Sequence, residues 1–517
     1  MHLQARSRIH AIFPVIFITT LLHLVLAFSL PLGNDEVYYW TYALHPAWSY
    51  FDHPPIVGWL IWLSTWGTHL HQELFVRAGA VLCSAITMYV VYDTGRIIRN
   101  ERTGLIAAIL YAADLYSSIV AGVFILPDSA QILFWWLALR SLLRIAHEHT
   151  GKSRAWLAFG AWTGLATLSK IHGIFLWAGA GLYLLLFRRE VWKKWYVYVA
   201  AIISLICMIP ILIWNVQHHF ITYAYHSRRV SLTQSHLHLN YFLTEILGEC
   251  FYHNPVIYVW IWICLVQVFR KKYQACTVQT IRVLLCCSLP LIAILLGVSL
   301  FRSILPHWSG PAYSSLLLLV AARLDARYNN LKKIPATVKW ATGITLTIIL
   351  AGWWIIMDYP GTLGSHDRME YGSGDFTLDM YGWRKIGKPF QRMYQQDLRE
   401  GVMQKNAFII SNKWFPLAHE QFYISYYTHQ PVQGIGAVDD LHEYAIWRPQ
   451  ARRLQPGDDA YCIVPSNYFT DVTAHFGHLF QKIDTPVVML QYRGGKLARK
   501  FFIYRLHHFQ PHALTKN

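Results

Sequence analysis

Carboxylates, imidazoles and cations gather at short spacing in a few places of an otherwise apolar chain. Gly33-Asn34-Asp35-Glu36-Val37-Tyr38-Tyr39-Trp40 places two acids directly after a long apolar stretch. A carboxylate at the bilayer surface is partly desolvated, which raises its pKa and makes it a better base once ionised. The plainer reading of the pair is a solvated helix end. Asp52-His53-Pro54-Pro55 follows; two prolines stiffen the turn and disfavour helix before them. His53 could give a cationic donor to a phosphate or, with Asp52, a ligand to a divalent metal, or the motif is a surface turn. Asp128, in Leu126-Pro127-Asp128-Ser129, is a third acid that also reads as a helix start. Asp114 falls inside an apolar stretch, where an acid is costly and faces the bundle interior; it carries no assigned role.

Cations recur near these acids in Lys170-Ile171-His172, Arg228-Arg229 and Phe301-Arg302-Ser303-Ile304-Leu305-Pro306-His307-Trp308. Such groups at the outer mouth of a membrane pocket suit an anionic head group, and singly they also read as lipid anchors. Walker-type loops, Gly-x-Gly-x-x-Gly after a strand and Gly-x-Ser-x-Gly do not occur, so nucleotide binding and serine hydrolysis lack support.

The elements that must position these groups are apolar. Of the 517 residues 55% are hydrophobic, 15% aromatic and only 14% charged, against about 25% charged in a soluble domain. This composition excludes an ordinary cytosolic enzyme and a disordered chain. Apolar stretches long enough for membrane helices lie at 11–32, 73–94, 104–122, 129–145, 155–170, 173–187, 196–214, 254–269, 281–299, 309–323 and 337–356, which predicts about eleven crossings. Trp59, Trp62 and Trp66 repeat at helical spacing without a charge, the pattern of an interfacial helix.

The formal net charge is +17, and +14 of it lies before Asp358, from 27 Lys/Arg and 13 Asp/Glu. That placement argues against a nucleic-acid arm. With Arg6 and Arg8 inside, successive cytoplasmic loops carry Arg96/Arg99/Arg102, Lys152/Arg154, Arg188/Arg189/Lys193/Lys194, Arg270/Lys271/Lys272 and Arg323/Arg327/Lys332/Lys333. The outer loop from Gly33 to Gln72 has no Lys or Arg. The positive-inside rule therefore puts the N-terminus in the cytoplasm and, after an odd number of crossings, the tail outside.

Two domains are expected: 1–357, a membrane part whose outer loop 33–72 carries the first acids, and 358–517, a soluble α/β part. The tail offers strands at Ala407–Ile410, Pro431-Val432 and Ala460–Val464, a helix near Pro416–Thr428, and a hairpin of Val487–Tyr492 and Lys500–Tyr504 about Arg493-Gly494-Gly495. Cys250 and Cys462 could pair, but small apolar filling is the better reading of the cysteines. No Cys/His metal spacing appears.

Taken in order, Asp35-Glu36-Val37-Tyr38-Tyr39-Trp40, Tyr50-Phe51-Asp52-His53-Pro54-Pro55, Leu126-Pro127-Asp128, Leu168-Ser169-Lys170 and Leu305-Pro306-His307-Trp308 resemble the bacterial branch of the protein O-mannosyltransferase superfamily, which is similar to the lipid A aminoarabinose transferases. The resemblance covers roughly residues 10–330, and more weakly Asp379–Trp383 and His419–Tyr423 of the tail. It implies a C-type glycosyltransferase fold, a mainly α membrane helix bundle with an extracytoplasmic α/β domain. It also implies transfer of a sugar from a polyprenyl (undecaprenyl) phosphate carrier to a lipid A, envelope-glycan or protein acceptor. The location implied is the outer face of a bacterial inner membrane, with inversion at the anomeric carbon.

Carried over by position, Asp35 is the base, Glu36 its support and Asp128 a further acid of the catalytic group. His53, Lys170, Arg302 and His307 face the donor phosphate, and Asp52, Tyr38 and Tyr39 line the pocket. In the aminoarabinose branch a lysine stands where His53 stands here, so this histidine would need a proton to supply the same charge. The chemistry compels no cofactor, and a divalent metal gathered by Asp35, Glu36, Asp52 and His53 stays open. The competing classes are a flippase for a lipid-linked glycan, which should show internal repeats and midplane polar groups, and a non-catalytic assembly partner.

Overall fold

The computed structural model describes residues 11–147, 152–230, 236–328, 333–447 and 452–510. Arg6, Arg8 and Lys332 of the topology pattern lie outside the described residues. The chain divides into two compact units. One holds the residues up to Ala27 together with Tyr42–Ile349, the other Phe28–Thr41 together with the chain from Leu350 onward. A division at 357 would leave the whole loop 33–72 with the membrane part, whereas here Phe28–Thr41 packs with the tail. The chain passes from one unit to the other within the helix Asn34–Leu44.

The first unit is helical, and this is a multi-pass membrane protein. Among the described residues five helices are long and apolar enough to cross a bilayer: Ile12–Ser29, Glu73–Ile98, Trp195–Gln217, Val278–Ser299 and Ala336–Asp358. Leu239–Tyr252 and Pro255–Phe269 make a sixth if the pair, bent by 106°, is one span. Every one of the eleven apolar stretches forms helix, but eleven crossings are not established. The stretch 104–122 is helical only to Ala112 and then gives way to a π turn at Tyr116–Val120. The helix Phe175–Phe187 is 13 residues long, and Pro127–His147 carries Asp128, Arg140 and Arg144 along its length.

Apolar side chains on both faces give Trp195–Gln217 an exposed stripe of Ile202, Leu205, Ile206, Ile209, Leu212 and Val216, the surface expected toward lipid. Gly310–Arg327 is the opposite case: its residues are buried without a break from Gly310 to Ala322. Its two serines satisfy neighbouring indoles, with Trp135 Nε1 donating to Ser315 Oγ at 2.8 Å and Trp136 Nε1 to Ser314 Oγ at 3.1 Å. Ile56–Ser64 is a one-sided helix, with Val57, Gly58 and Ile61 buried and Trp62, Leu63 and the following Trp66 exposed.

The second unit contains a six-stranded mixed sheet of β1 Phe408–Ser411, β2 Val432–Gly434, β3 Ala460–Pro465, β4 Phe480–Ile483, β5 Val487–Arg493 and β6 Lys496–Phe509. β1 lies parallel between β2 and β3, and β3 pairs antiparallel with β6. The other edge of β6 is shared by β4 and β5. The β5–β6 turn has positive φ at both Gly494 (52°) and Gly495 (78°), which is why two glycines mark this hairpin. β4 falls outside the expected strands, because a short edge strand with two exposed polar residues carries little hydropathic signal. All eight cysteines are free thiols.

Candidate functional site

The candidate residues divide between the two units. In the helical unit, the turn that carries Asp52 and His53 is held by two tyrosines. Tyr42 and Tyr50 stack with ring centroids 3.7 Å apart, and the Tyr50 hydroxyl donates to the Tyr42 carbonyl at 2.9 Å. Gly58 lets this pair approach its helix: a Cβ there would stand 2.8 Å from the Tyr42 Cβ. The Tyr42 hydroxyl donates to Asp52 Oδ1, His226 Nε2 lies 3.1 Å from the Asp52 carbonyl, and Tyr50 N donates to the His53 carbonyl at 3.1 Å.

Asp128 sits in the first turn of Pro127–His147, just ahead of the apolar stretch. Lys170 follows the end of Lys152–Ser169 in extended conformation, before a short 3-10 turn Ile171–Ile174. The two side chains meet. Lys170 Nζ donates to Asp128 Oδ1 at 2.9 Å and to Oδ2 at 2.8 Å, with both residues buried, at 4% and 2% exposure. Tyr116 OH adds a bond to Asp128 Oδ1 at 3.0 Å. The Tyr116 ring reaches this position because residue 310 is glycine: a Cβ there would stand 2.4 Å from the ring.

Burial pushes the Asp128 carboxyl up, but Lys170, His307 and the Tyr116 hydroxyl together outweigh it and the group is held at about 2. Asp128 is thus an anion committed to Lys170 and Tyr116.

Three imidazoles surround this pair electrostatically. Burial pushes His53 down to about 4, partly offset by Asp52, and the Lys170 ammonium lowers it further. Burial and then Lys170 bring His172 to about 3 and His307 to about 4. All three rings are nevertheless half-exposed, so protein encloses them without sealing them from solvent. His172 lies against Trp308, with ring centroids 5.6 Å apart. At neutral pH the cluster therefore presents one ammonium, already paired, and three uncharged rings that can take protons. Arg302 is half-buried five residues before His307. Arg228 is exposed on the helix Ile221–Val230, and the Arg229 side chain lies outside the described residues.

In the other unit, the helix Asn34–Leu44 starts with Asp35 and Glu36 in its first turn. Glu36 is buried, at 3% exposure, and its Oε2 accepts from Gly33 N at 2.9 Å, one half of a capping box. Asp35 is exposed. The expected desolvation thus falls on Glu36 and not on Asp35. Tyr38 and Tyr39 are buried, the former packed on Trp414 at 4.9 Å between ring centroids, with its hydroxyl accepting from Glu443 N at 3.1 Å.

Among the described residues no group of three or more His, Cys, Asp and Glu could hold a metal ion, so Asp52 and His53 gain no third ligand there. Asp114 is a packing partner: it accepts from Ser117 N at 3.0 Å and pairs with His253 Nδ1 at 2.8 Å. Tyr116, His226 and Asn34 are the polar residues that sequence reasoning missed. A lone tyrosine or asparagine carries no signal until its partner is placed beside it.

The chain has the C-type glycosyltransferase fold seen in ArnT. A family model described as dolichyl-phosphate-mannose-protein mannosyltransferase matches residues 52–214. Lipid A galacturonosyltransferase RgtD of Rhizobium johnstonii is 19% identical over 392 residues, 75% of this chain and 78% of that protein. ArnT from Cupriavidus metallidurans in the apo state superposes with a TM-score of 0.61 at 14% identity, over 97% of this chain and 98% of that one. The same protein bound to undecaprenyl phosphate gives 0.59 at 16% identity, over 96% and 98%. This chain is a membrane glycosyltransferase whose residues 52–214 match the mannosyltransferase model and whose fold is similar to that of ArnT.

Proposed function

We propose that the protein transfers a sugar from a polyprenyl phosphate carrier to an acceptor outside the cytoplasm, in a bacterial inner membrane with the N-terminus inside and the tail domain outside. The observation that carries the reading is the half-open cluster of His53, His172 and His307 around the Lys170–Asp128 pair. An anionic leaving group needs donors fixed in advance, and this cluster offers an ammonium and three imidazoles. The structural relative solved with undecaprenyl phosphate and the relative named for lipid A support this donor class and a lipid or glycan acceptor.

In the reaction, the acceptor hydroxyl attacks the anomeric carbon as the carbon–oxygen bond to the phosphate breaks. Asp35, exposed at its helix start, takes the hydroxyl proton. Lys170, His53, His307 and Arg302 face the departing phosphate, and one displacement inverts the anomeric centre. Asp128 acts as a positioning residue here, since its carboxylate is taken up by Lys170 and Tyr116.

The test compares the lipid A, other envelope glycans and surface glycoproteins of cells with and without this gene by mass spectrometry. Loss of one defined sugar, restored by the wild-type gene and not by Asp35→Asn, is expected. Unchanged glycans in all three fractions would overturn the reading.

A further inference from the structure

The second unit contains more than a sheet domain beside a loop. Three residues around Asp35 are each anchored. Leu32 N donates to the Tyr423 hydroxyl at 2.9 Å. The Asn34 amide is gripped at both ends: its Oδ1 lies 2.8 Å from His419 Nε2, and its side chain hydrogen-bonds to Asp379 and to Tyr468. Tyr468 OH in turn donates to Asp379 Oδ1 at 2.8 Å and Oδ2 at 3.1 Å. Glu36 closes the set through Gly33. Asp35, between these anchors, is exposed.

The polarity of the grip is self-consistent. Asp379 only accepts when ionised, so the Asn34 nitrogen points to it and the oxygen to His419. His419 must then carry its proton on Nε2. Its other nitrogen, Nδ1, is buried with no hydrogen-bond partner, and the ring stacks on Trp383 at 4.5 Å and 5° between planes. The His419 side chain is fully buried, and burial holds it well below the usual imidazole range, so it is a neutral donor. A neutral, fully buried histidine stacked on tryptophan, with one nitrogen used on the first residue of the Asp35 helix and the other on nothing, is a costly way to fill space.

We infer that His419 is a positioning residue for the acceptor base, gripping Asn34 together with Asp379 and Tyr468 so that Asp35 stands where the acceptor hydroxyl arrives. The tail domain is then a working part of the catalytic machinery. This rests on Asp35 being the base, and the experiment separates the two claims.

Full-length protein in vesicles is assayed for sugar transfer with a polyprenyl-phosphate-linked donor, as wild type, Asp35→Asn, His419→Phe and His419→Gln. Phenylalanine keeps the ring stack and loses the donor; glutamine places an N–H near the Nε2 position. Loss of one neutral hydrogen bond is worth about 1 kcal/mol, or about fivefold. His419→Phe should therefore lose about fivefold or more in kcat with an unchanged donor KM, its melting temperature staying within a few degrees of wild type. His419→Gln should recover most of that loss, and Asp35→Asn should be inactive.

If Asp35→Asn is inactive while a folded His419→Phe turns over at the wild-type rate, the positioning role is wrong and the base assignment stands. If Asp35→Asn is active, the base assignment is wrong and the positioning role with it. If His419→Phe and His419→Gln lose melting temperature and activity together, the histidine is only a structural residue and the inference fails.

Discussion

On the proposed reading His53 faces the donor phosphate beside Lys170, and burial keeps that ring uncharged at neutral pH, at about 4. The consequence is a proton-coupled affinity. A bound phosphodiester favours the protonated ring, so binding raises the His53 pKa and takes up a proton. Each pH unit between 7 and the free value of about 4 then changes affinity up to tenfold, about 1.4 kcal/mol. The sign is fixed: affinity rises as pH falls, and levels off near pH 4, where free His53 is already charged.

The assay is titration calorimetry of the full chain with a polyprenyl phosphodiester, at pH 7, 6 and 5 and in buffers of differing ionisation enthalpy. A phosphodiester carries one negative charge across this range, so the ligand does not titrate. We expect Kd to fall by one to two orders of magnitude from pH 7 to pH 5, with uptake of up to one proton. His53→Lys, with a fixed charge, should bind more tightly at pH 7 and lose the His53 share of the slope, leaving that of His307. A Kd that changes less than twofold from pH 7 to pH 5, with no proton uptake, would refute the reasoning.

Three further outcomes follow from the same geometry. Lys170→Met or Asp128→Asn leaves a buried charge unpaired and should cost about 3–5 kcal/mol in denaturant unfolding in detergent, while the double variant costs clearly less than the sum. With its folded pKa at about 2 against an ordinary 3.8, Asp128 contributes about 2 kcal/mol that is complete above pH ~4 and lost as pH falls toward 2; acid titration of the unfolding free energy reads it, and Asp128→Asn should abolish it. In the tail, Gly495→Ala meets no atom within 4 Å and should cost about 1–2 kcal/mol for its positive φ alone. Gly494→Ala also meets the Asp358 carbonyl at 2.4 Å and should unfold at lower denaturant than Gly495→Ala.

Some of this is legible in the residues and some is not, for physical reasons. Hydropathy locates all eleven apolar stretches, because burial in lipid and burial in protein select the same side chains. It does not find the break after Ala112, inside the stretch 104–122. The pairing of Lys170 with Asp128 is hidden, because 42 residues separate them in sequence and each alone reads as a group facing a ligand. Asp35 stands out by its place at an apolar boundary, yet its exposure and the burial of Glu36 depend on which face of the helix packs. Tyr116 is invisible, since its reach to Asp128 is permitted by Gly310, far downstream. The hairpin at Gly494-Gly495 is the clearest reading, because two adjacent positive φ angles leave few alternatives to glycine.

The most direct measurement of the central claim is sugar transfer by the purified full chain in vesicles, with a panel of polyprenyl-phosphate-linked sugars and lipid or peptide acceptors. Free polyprenyl phosphate and glycosylated acceptor are followed together. The account predicts one-to-one release of both with a matching donor, and no release from Asp35→Asn although it still binds the donor. Release at the wild-type rate by Asp35→Asn, or no release from any polyprenyl-linked donor by the folded wild type, would contradict it.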